Sequence, residues 1–125
     1  MKPNPDARVK AWMQRQAPST LYLTSVSVAE IRLGVGILPE GKRKRELGAF
    51  FETLMRLYVG RILIFDLDAA SRYAEVAVAA RAVGRTLPTA DGFIAAMAFA
   101  KGYAVASRDE GPFLAAGLEV INPWN

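Results

Sequence analysis

The chain has 125 residues, of which 52% are hydrophobic, a formal net charge of +4, and neither cysteine nor histidine. This length fits one domain, residues 1–125, and the apolar fraction is high enough to form a core. Disulfides, thiolate zinc sites, Ser-His-Asp triads and histidine bases are excluded, so any catalysis has to use carboxylates, hydroxyls, basic groups or a hard metal ion.

The first part of the chain predicts a helix, a strand and a second helix. The first helix begins at Pro5-Asp6, carries apolar residues at helical spacing and ends before Pro18-Ser19. Residues 21–25 have the composition of a short buried strand. Ser27 is expected to cap the next helix, which ends near Gly36.

The middle of the chain predicts a charged helix and a second strand. Residues 41–57 have the pattern of an amphipathic helix, whose inner face is expected to hold Leu47, Phe50, Phe51, Leu54 and Leu57. Residues 62–65 are too uniformly apolar for a half-exposed strand, so we expect this strand to be buried on both faces, as in parallel sheets.

The last part of the chain predicts two helices, a helical turn and two strands. Asp66 or Asp68 begins a helix that reaches about Val83, and Thr89 begins an alanine-rich helix that ends near Gly102. The remaining elements are a strand at residues 103–106, a helical turn at 109–116 and a strand at 119–121. Because strands alternate with helices, the expected fold class is α/β, a doubly wound and mainly parallel sheet with helices on both faces.

The sequence contains no pattern typical of secretion or of a membrane span. Residues 1–16 are polar and charged, and no apolar run approaches the roughly 20 residues that a span needs. The lack of cysteine favours a reducing compartment. We therefore expect a cytoplasmic protein that does not associate with a membrane.

A basic cluster, Lys42, Arg43, Lys44 and Arg45, lies near the start of the charged helix. Such a cluster is compatible with a polyanionic partner such as RNA or DNA. It is equally compatible with a solvated helix face, and the sequence leaves both interpretations open.

Three acidic residues stand out by their position in the predicted elements. Glu30 lies in the first turn of a helix that follows a strand, Asp91 lies in the first turn of the alanine-rich helix, and Asp109 follows strand 103–106 by three residues. Sites in open α/β sheets form beyond the carboxyl ends of the strands. Converging carboxylates repel one another unless a cation lies between them, and oxygen ligands select Mg²⁺ or Mn²⁺ over zinc.

Each of these acids also has an ordinary structural explanation. Ser27 and Glu30 match a capping box, in which the two side chains satisfy free amides at a helix start. Asp91 lies where the helix dipole favours a negative charge, and Asp109 is suited to capping the turn that follows it. From spacing alone, a shared metal site is one of two open interpretations.

Several segments together resemble the FitB/VapC-type PIN-domain family of toxin–antitoxin ribonucleases. They are SVAEIRLG at residues 27–34, GRILIFD at 60–66, TADGFIAA at 89–96, ASRD at 106–109 and VINPW at 120–124. The resemblance runs nearly from end to end in consistent order. It implies a three-layer α/β/α fold and a Mg²⁺- or Mn²⁺-dependent endoribonuclease that acts as a toxin.

The resemblance also implies roles for particular residues. Glu30, Asp91 and Asp109 match the family's second, third and fourth acidic positions, so they are the expected catalytic and metal-binding residues. Ser107 stands where the family often has threonine, and Thr89 opens the helix of Asp91; both are expected to be accessory. The carboxylates would hold metal ions that activate water and stabilise charge on the phosphate.

The partners implied by the resemblance are an RNA substrate, a cognate VapB/FitA-like antitoxin and a second copy of the chain in a homodimer. An antitoxin arginine is suited to pairing with the acids by bidentate hydrogen bonds. The basic residues 42–45 are possible contacts for RNA phosphates.

The start of the chain departs from the family pattern. Family members begin with a short apolar strand near the sheet's centre that ends in Asp-Thr-Asn, and this Asp is the first acid of the metal site. Here residues 1–5 resemble the segment just after that strand, and Asp6 falls inside the first helix of the pattern. We therefore expect a PIN-like domain truncated at its N-terminus relative to the family, without the first strand and the first acid.

Three functions remain open from the sequence. The first is a metal-dependent ribonuclease of toxin type. The second is a catalytically incomplete PIN-like remnant that binds an antitoxin or RNA without cleaving. The third is a structural oligomerisation domain whose apolar helices bury a dimer surface. Divalent-metal-dependent RNA cleavage that is lost in Asp91→Asn distinguishes the first from the other two.

Overall fold

The computed structural model describes residues 7–124, without the side chain of Lys10, and the chain divides into two compact units. The first unit is Met1–Leu63 and the second unit is Ile64–Asn125. The predicted helix start at Pro5-Asp6 lies outside the described residues. None of the helices within residues 7–124 is long and apolar enough to cross a lipid bilayer.

The described part of the first unit contains three helices, a 3₁₀ turn and one pair of parallel strands. In chain order these are α1 (Ala7–Arg15), the 3₁₀ turn (Pro18–Thr20), β1 (Leu23–Thr24), α2 (Ser25–Gly36), α3 (Lys42–Leu57) and β2 (Ile62–Leu63). Leu23 pairs with Ile62 and Thr24 with Leu63. Arg61 supports this pairing, because its side chain donates hydrogen bonds to the carbonyl oxygens of Leu21 at 2.9 Å and Leu57 at 2.6 Å.

Helix α2 begins three residues earlier than the sequence predicts. Thr24 is its N-cap, in an extended conformation at the end of β1, and its hydroxyl oxygen accepts a hydrogen bond from the Ser27 amide at 3.0 Å. The prediction that Ser27 caps this helix is therefore wrong. Both residues carry a suitable hydroxyl, but only Thr24 lies at the point where the chain leaves the strand.

Helix α3 buries a narrower face than predicted. Leu47 and Phe51 are buried, as is Tyr58 just beyond the helix, whereas Phe50 is 41% exposed and Leu57 is 63% exposed. The buried positions follow one another at helical spacing along a single stripe, and Phe50 and Leu57 lie beside that stripe. The prediction that these two side chains point into the core is wrong.

Strand β2 is shorter and more exposed than the sequence predicts. It comprises only Ile62 and Leu63, both half-buried, and Ile64 is 65% exposed. Within the described residues β2 pairs only with β1, so one edge has no strand partner there. The expectation of burial on both faces is wrong for these residues, because such burial requires a layer of helices packed against each face of the sheet.

The second unit holds the larger core. In chain order its elements are α4 (Leu67–Ala82), α5 (Thr89–Lys101), β3 (Val105–Ala106), α6 (Gly111–Ala115) and β4 (Val120–Ile121). Val105 pairs with Val120 and Ala106 with Ile121, again in parallel. The Asp66 carboxylate accepts a hydrogen bond from the Ala69 amide at 2.9 Å, so Asp66 rather than Asp68 caps α4.

Helices α4 and α5 pack closely because their facing residues are small. Ala80, Ala95 and Ala96 have no exposed surface. Gly92 faces the ring of Tyr73 so closely that an added Cβ would lie 2.7 Å from Tyr73 Cε1. The core of the second unit consists of Val76, Ala80, Leu87, Ala95, Ala96, Ala98, Val105, Phe113, Ala116 and Leu118.

The fold class is α/β with short parallel strands, as predicted, but the described strands do not form one continuous sheet. They form two separate pairs, β1 with β2 and β3 with β4. The segments predicted as strands at residues 103–106 and 119–121 are reduced to two residues each. A strand ends where its hydrogen-bonded neighbour ends, and within residues 7–124 each strand has a single neighbour of two residues.

Candidate functional site

Asp91 lies in the first turn of α5, as predicted, where its carboxylate is half-buried. The residue before the helix is Pro88, which provides no side-chain cap. Burial raises the pKa of Asp91 above its ordinary value of 3.8, and the negative charge of Asp109 raises it further. A helix dipole lowers the pKa of an acid in this position, so burial and the second acid outweigh the dipole here.

Asp109 lies in the loop between β3 and α6, and its side chain is exposed. The Ser107 hydroxyl donates a hydrogen bond to the Asp109 carbonyl oxygen at 3.2 Å, so Ser107 fixes the backbone of this loop. Helix α6 has Glu110 in its N-cap position and no side-chain capping bond. The alternative interpretation of Asp109 as a helix cap is therefore wrong, because the helix begins beyond it.

Asn122 joins the loop of Asp109 to the C-terminal segment. Its side-chain amide donates to Glu110 Oε2 at 2.9 Å and, at a longer 3.4 Å, to the carbonyl oxygen of Arg108. Its side-chain oxygen accepts a hydrogen bond from the Trp124 amide at 2.9 Å. These bonds hold the residues on both sides of Asp109. Sequence analysis missed this role, although the VINPW segment contained the residue.

In the second unit two of the predicted acids lie close enough for the charge of Asp109 to raise the pKa of Asp91. Over the described part of the chain, neither Asp91 nor Asp109 forms an ion pair with a basic side chain. Two unneutralised carboxylates repel each other, and a cation between them would relieve that repulsion. Their oxygen donors fit Mg²⁺ or Mn²⁺. Neither unit by itself, over the residues described, brings three acidic side chains together as a metal site.

Glu30 belongs to the first unit and lies in the second turn of α2, because the helix begins at Ser25. The predicted first-turn position and the Ser27–Glu30 capping box are both wrong, since Thr24 takes the capping role. Glu30 is exposed and lines a pocket of about 380 Å³ together with Ile31, Gly34, Val35, Leu38, Arg43 and Leu47. Its participation in a site with Asp91 and Asp109 stays a prediction.

The remaining predicted residues have distinct environments. Thr89 is the first residue of α5 and is exposed, and its accessory role stays a prediction. Lys44 donates hydrogen bonds to the Gly36 carbonyl oxygen at 3.2 Å and to Glu40 Oε1 at 3.0 Å, so its ammonium group binds acceptors at and just beyond the C-terminal end of α2. Lys42 forms an exposed ion pair with Glu46 at 3.8 Å. A role of Lys42, Arg43, Lys44 and Arg45 in binding RNA stays a prediction.

Sequence comparisons relate the chain to one family. The sequence model of the PIN domain matches residues 2–117. A plasmid stability protein StbB of Pseudomonas syringae pv. tomato is 48% identical over 121 residues, 96% of this chain and 87% of that protein. The VapC ribonuclease Y4jK of Sinorhizobium fredii is 45% identical over an alignment that covers 98% of this chain and 89% of that protein. Toxin FitB of Neisseria gonorrhoeae is 41% identical over an alignment that covers 100% of this chain and 91% of that protein.

Solved structures agree with this relationship. The structure of FitAB bound to an IR36 DNA fragment contains a chain that is 42% identical, with a TM-score of 0.93 over 99% of this chain and 87% of that one. A VapBC-1 structure from nontypeable Haemophilus influenzae has a TM-score of 0.76 at 15% identity, over 98% of this chain and 89% of that one. The second likeness concerns the fold alone.

Proposed function

This chain belongs to the PIN-domain family, and we therefore propose that it is a ribonuclease that acts as the toxin of a toxin–antitoxin pair. The observation that carries the proposal is the half-buried Asp91 carboxyl, whose pKa is raised by burial and by the charge of Asp109. Perturbed acids of this kind concentrate at functional sites. A relative named as a VapC ribonuclease supports this reaction class, and a relative named as Toxin FitB supports the role as a toxin.

Asp91 and Asp109 offer only oxygen ligands and carry unneutralised negative charge, so the expected cofactor is Mg²⁺ or Mn²⁺. A bound ion would supply positive charge that activates water and stabilises the charge that develops on a phosphate. Asp91 stands in the first turn of α5, a helix whose Ala95, Ala96 and Met97 are buried. Asp109 is held through its own backbone by Ser107 and through its neighbours by Asn122. Glu30 is the proposed third acid.

The test is divalent-metal-dependent cleavage of single-stranded RNA by the unaltered chain and by Asp91→Asn. We expect the substitution to abolish cleavage, because it removes a charged ligand while keeping the shape of the side chain. Asp68→Asn is a matched control, since Asp68 is an exposed acid in the first turn of α4 whose nearest basic partner is Arg72 at 3.8 Å. Cleavage that survives in Asp91→Asn would contradict the proposal.

A second candidate function is a PIN-like protein that binds RNA or an antitoxin without cleaving RNA. It is favoured by one observation, that neither unit alone assembles three acids within residues 7–124. Under this hypothesis the unaltered chain binds RNA but shows no cleavage with Mg²⁺ or Mn²⁺. Robust turnover that depends on Asp91 would reject it.

The proposed partner is a cognate FitA/VapB-like antitoxin, and the proposed assembly is a homodimer. The relationship to a chain solved in a FitAB complex supports this choice of partner. Light scattering of the purified chain, with and without the co-expressed antitoxin, measures both associations. A monomeric mass in both samples would contradict both.

A further inference from the structure

Arg85 stands at a fixed point in the turn between α4 and α5. Gly84 ends α4 with a φ of 78°, and its amide donates to the Arg81 carbonyl oxygen at 2.9 Å. The Arg85 amide then donates to the Ala80 carbonyl oxygen at 3.0 Å. This pair of bonds is a Schellman motif, which glycine favours because its backbone adopts a positive φ without strain. The start of the Arg85 side chain is therefore set by backbone hydrogen bonds.

The guanidinium group of Arg85 lies against Gly111, the first residue of α6. A Cβ added to Gly111 would lie 2.5 Å from Nη1, 2.6 Å from Nη2 and 2.7 Å from Cζ, so the group occupies the space above this glycine. Gly111 follows Asp109 by two residues, and the turn of Arg85 leads directly into the helix of Asp91. Arg85 thus connects the two segments that carry the paired acids.

Arg85 is exposed, and within residues 7–124 its guanidinium forms neither a hydrogen bond nor an ion pair. Arg108 is closer to Asp109 along the chain, but its guanidinium lies over the Trp124 ring, 5.8 Å from the centroid. A guanidinium has five N–H donors in a planar fork that matches a phosphate. Arg85 has all of them available at Gly111, two residues along the chain from Asp109.

We propose that Arg85, held against Gly111, binds a backbone phosphate of the RNA next to the Asp91–Asp109 pair. This inference rests on the proposed ribonuclease function and names a substrate-binding residue for it. The positive charge of Arg85 offsets the repulsion between the RNA backbone and the two acids. Because each phosphate contact releases a counterion, it makes the dependence of the binding constant on salt concentration steeper.

The experiment measures binding of a short fluorescent single-stranded RNA over a range of KCl concentrations, in EDTA so that metal-dependent cleavage does not occur. For Arg85→Gln we expect the slope of log K against log salt to flatten by about 0.7 and the affinity at about 0.1 M salt to fall about fivefold. Arg81→Gln is the matched control, because Arg81 is exposed in the last turn of α4 and its loss changes the net charge equally. We expect a slope for this variant close to that of the unaltered chain.

Gly111→Ala tests the position of the guanidinium rather than its charge. The new methyl group would displace the flexible end of Arg85 from its place against residue 111, while alanine is well tolerated in the first turn of a helix. We expect this variant to lose affinity in the same direction as Arg85→Gln, with an unchanged melting temperature. If Arg85→Gln weakens binding but Gly111→Ala does not, the assigned position is refuted.

The outcomes separate this inference from the proposed function. If the unaltered chain binds and cleaves RNA while Arg85→Gln keeps its affinity and salt slope, only the role of Arg85 is refuted. If Arg85→Gln and Arg81→Gln flatten the slope equally, Arg85 acts only through net charge and the inference also fails. If the unaltered chain neither binds nor cleaves RNA, the proposed function and this inference fail together.

Discussion

Removal of the Asn122 side chain is expected to loosen the loop that carries Asp109. The amide of Asn122 holds Glu110 at 2.9 Å, and its oxygen holds the Trp124 amide at 2.9 Å. Asn122→Ala removes both bonds and leaves the backbone otherwise intact. Because Asp109 lies between the residues so held, the same substitution should affect stability and the proposed metal binding together.

The size of the stability effect follows from these two bonds. A hydrogen bond to a charged group contributes about 1.5–3 kcal/mol, and a neutral one about 0.5–1.5 kcal/mol. The third contact, to the Arg108 carbonyl oxygen, is 3.4 Å long and adds little. In the variant, water can replace part of both hydrogen bonds because position 122 is only half-buried. We expect Asn122→Ala to lower the free energy of unfolding by about 2 kcal/mol.

Urea denaturation in metal-free buffer measures this difference, and Mn²⁺ titration of the folded protein measures metal affinity. Loss of a residue that orients a metal ligand typically weakens metal binding 10–100-fold, and we expect about tenfold here. Gln14→Ala, which removes an exposed amide from α1, is the control and should change neither quantity. Asn122→Asp keeps the acceptor for Trp124 but places a carboxylate against Glu110, so at neutral pH it should destabilise the protein at least as much.

Two results would refute this reasoning. If Asn122→Ala changes the free energy of unfolding by less than about 0.5 kcal/mol, the two hydrogen bonds contribute no net stability. If stability falls but the affinity for Mn²⁺ is unchanged, the geometry of Asp109 does not depend on Asn122. In that case Ser107 alone would be enough to hold the loop.

Two further predictions follow from the second unit. The folded state of Asp91 has a raised pKa, so it binds more protons than the unfolded state between pH 3.8 and that raised value, and stability falls as the pH rises through this window. In metal-free buffer at neutral pH, Asp91→Asn should therefore raise the melting temperature, and this gain should vanish below about pH 3.8. An equal gain at all pH values would contradict the raised pKa of Asp91. In Gly92→Ala the new methyl group would meet the Tyr73 ring, which should lower the free energy of unfolding by about 1–3 kcal/mol, and the better helix propensity of alanine should restore about 1 kcal/mol of it. A net gain of stability in urea denaturation would mean that the ring moves aside freely.

The helices were predictable because their ends carry local signals. Helix α5 begins at Thr89 and is ended by Gly102, and Asp66 caps α4; these are short-range features of the sequence. The strands were overestimated, since residues 62–65 and 103–106 are apolar over their whole length but pair over only two residues each. The extent of a strand depends on a distant neighbour, which hydrophobicity does not report.

The candidate site was predictable in part. The family resemblance placed Asp91 and Asp109 in one site, whereas their spacing alone left a shared site as one of two open interpretations. Asn122 and Arg85 act through tertiary contacts with Glu110 and Gly111, and nothing within a few residues of either signals those partners. The choice of Thr24 over Ser27 as a cap was also beyond local pattern, because it depends on where β1 ends.

The two acids stand on parts of the second unit that should open at different free energies. Asp91 is on α5, whose Ala95, Ala96 and Met97 are at most 1% exposed, so its amides should exchange hydrogen only when the whole unit unfolds. Asp109 is in an exposed loop held by side-chain hydrogen bonds, and such segments open locally at much lower free energy. One wall of the candidate site is therefore rigid while the other can adjust, which would let a single site receive ligands of different size without unfolding its core.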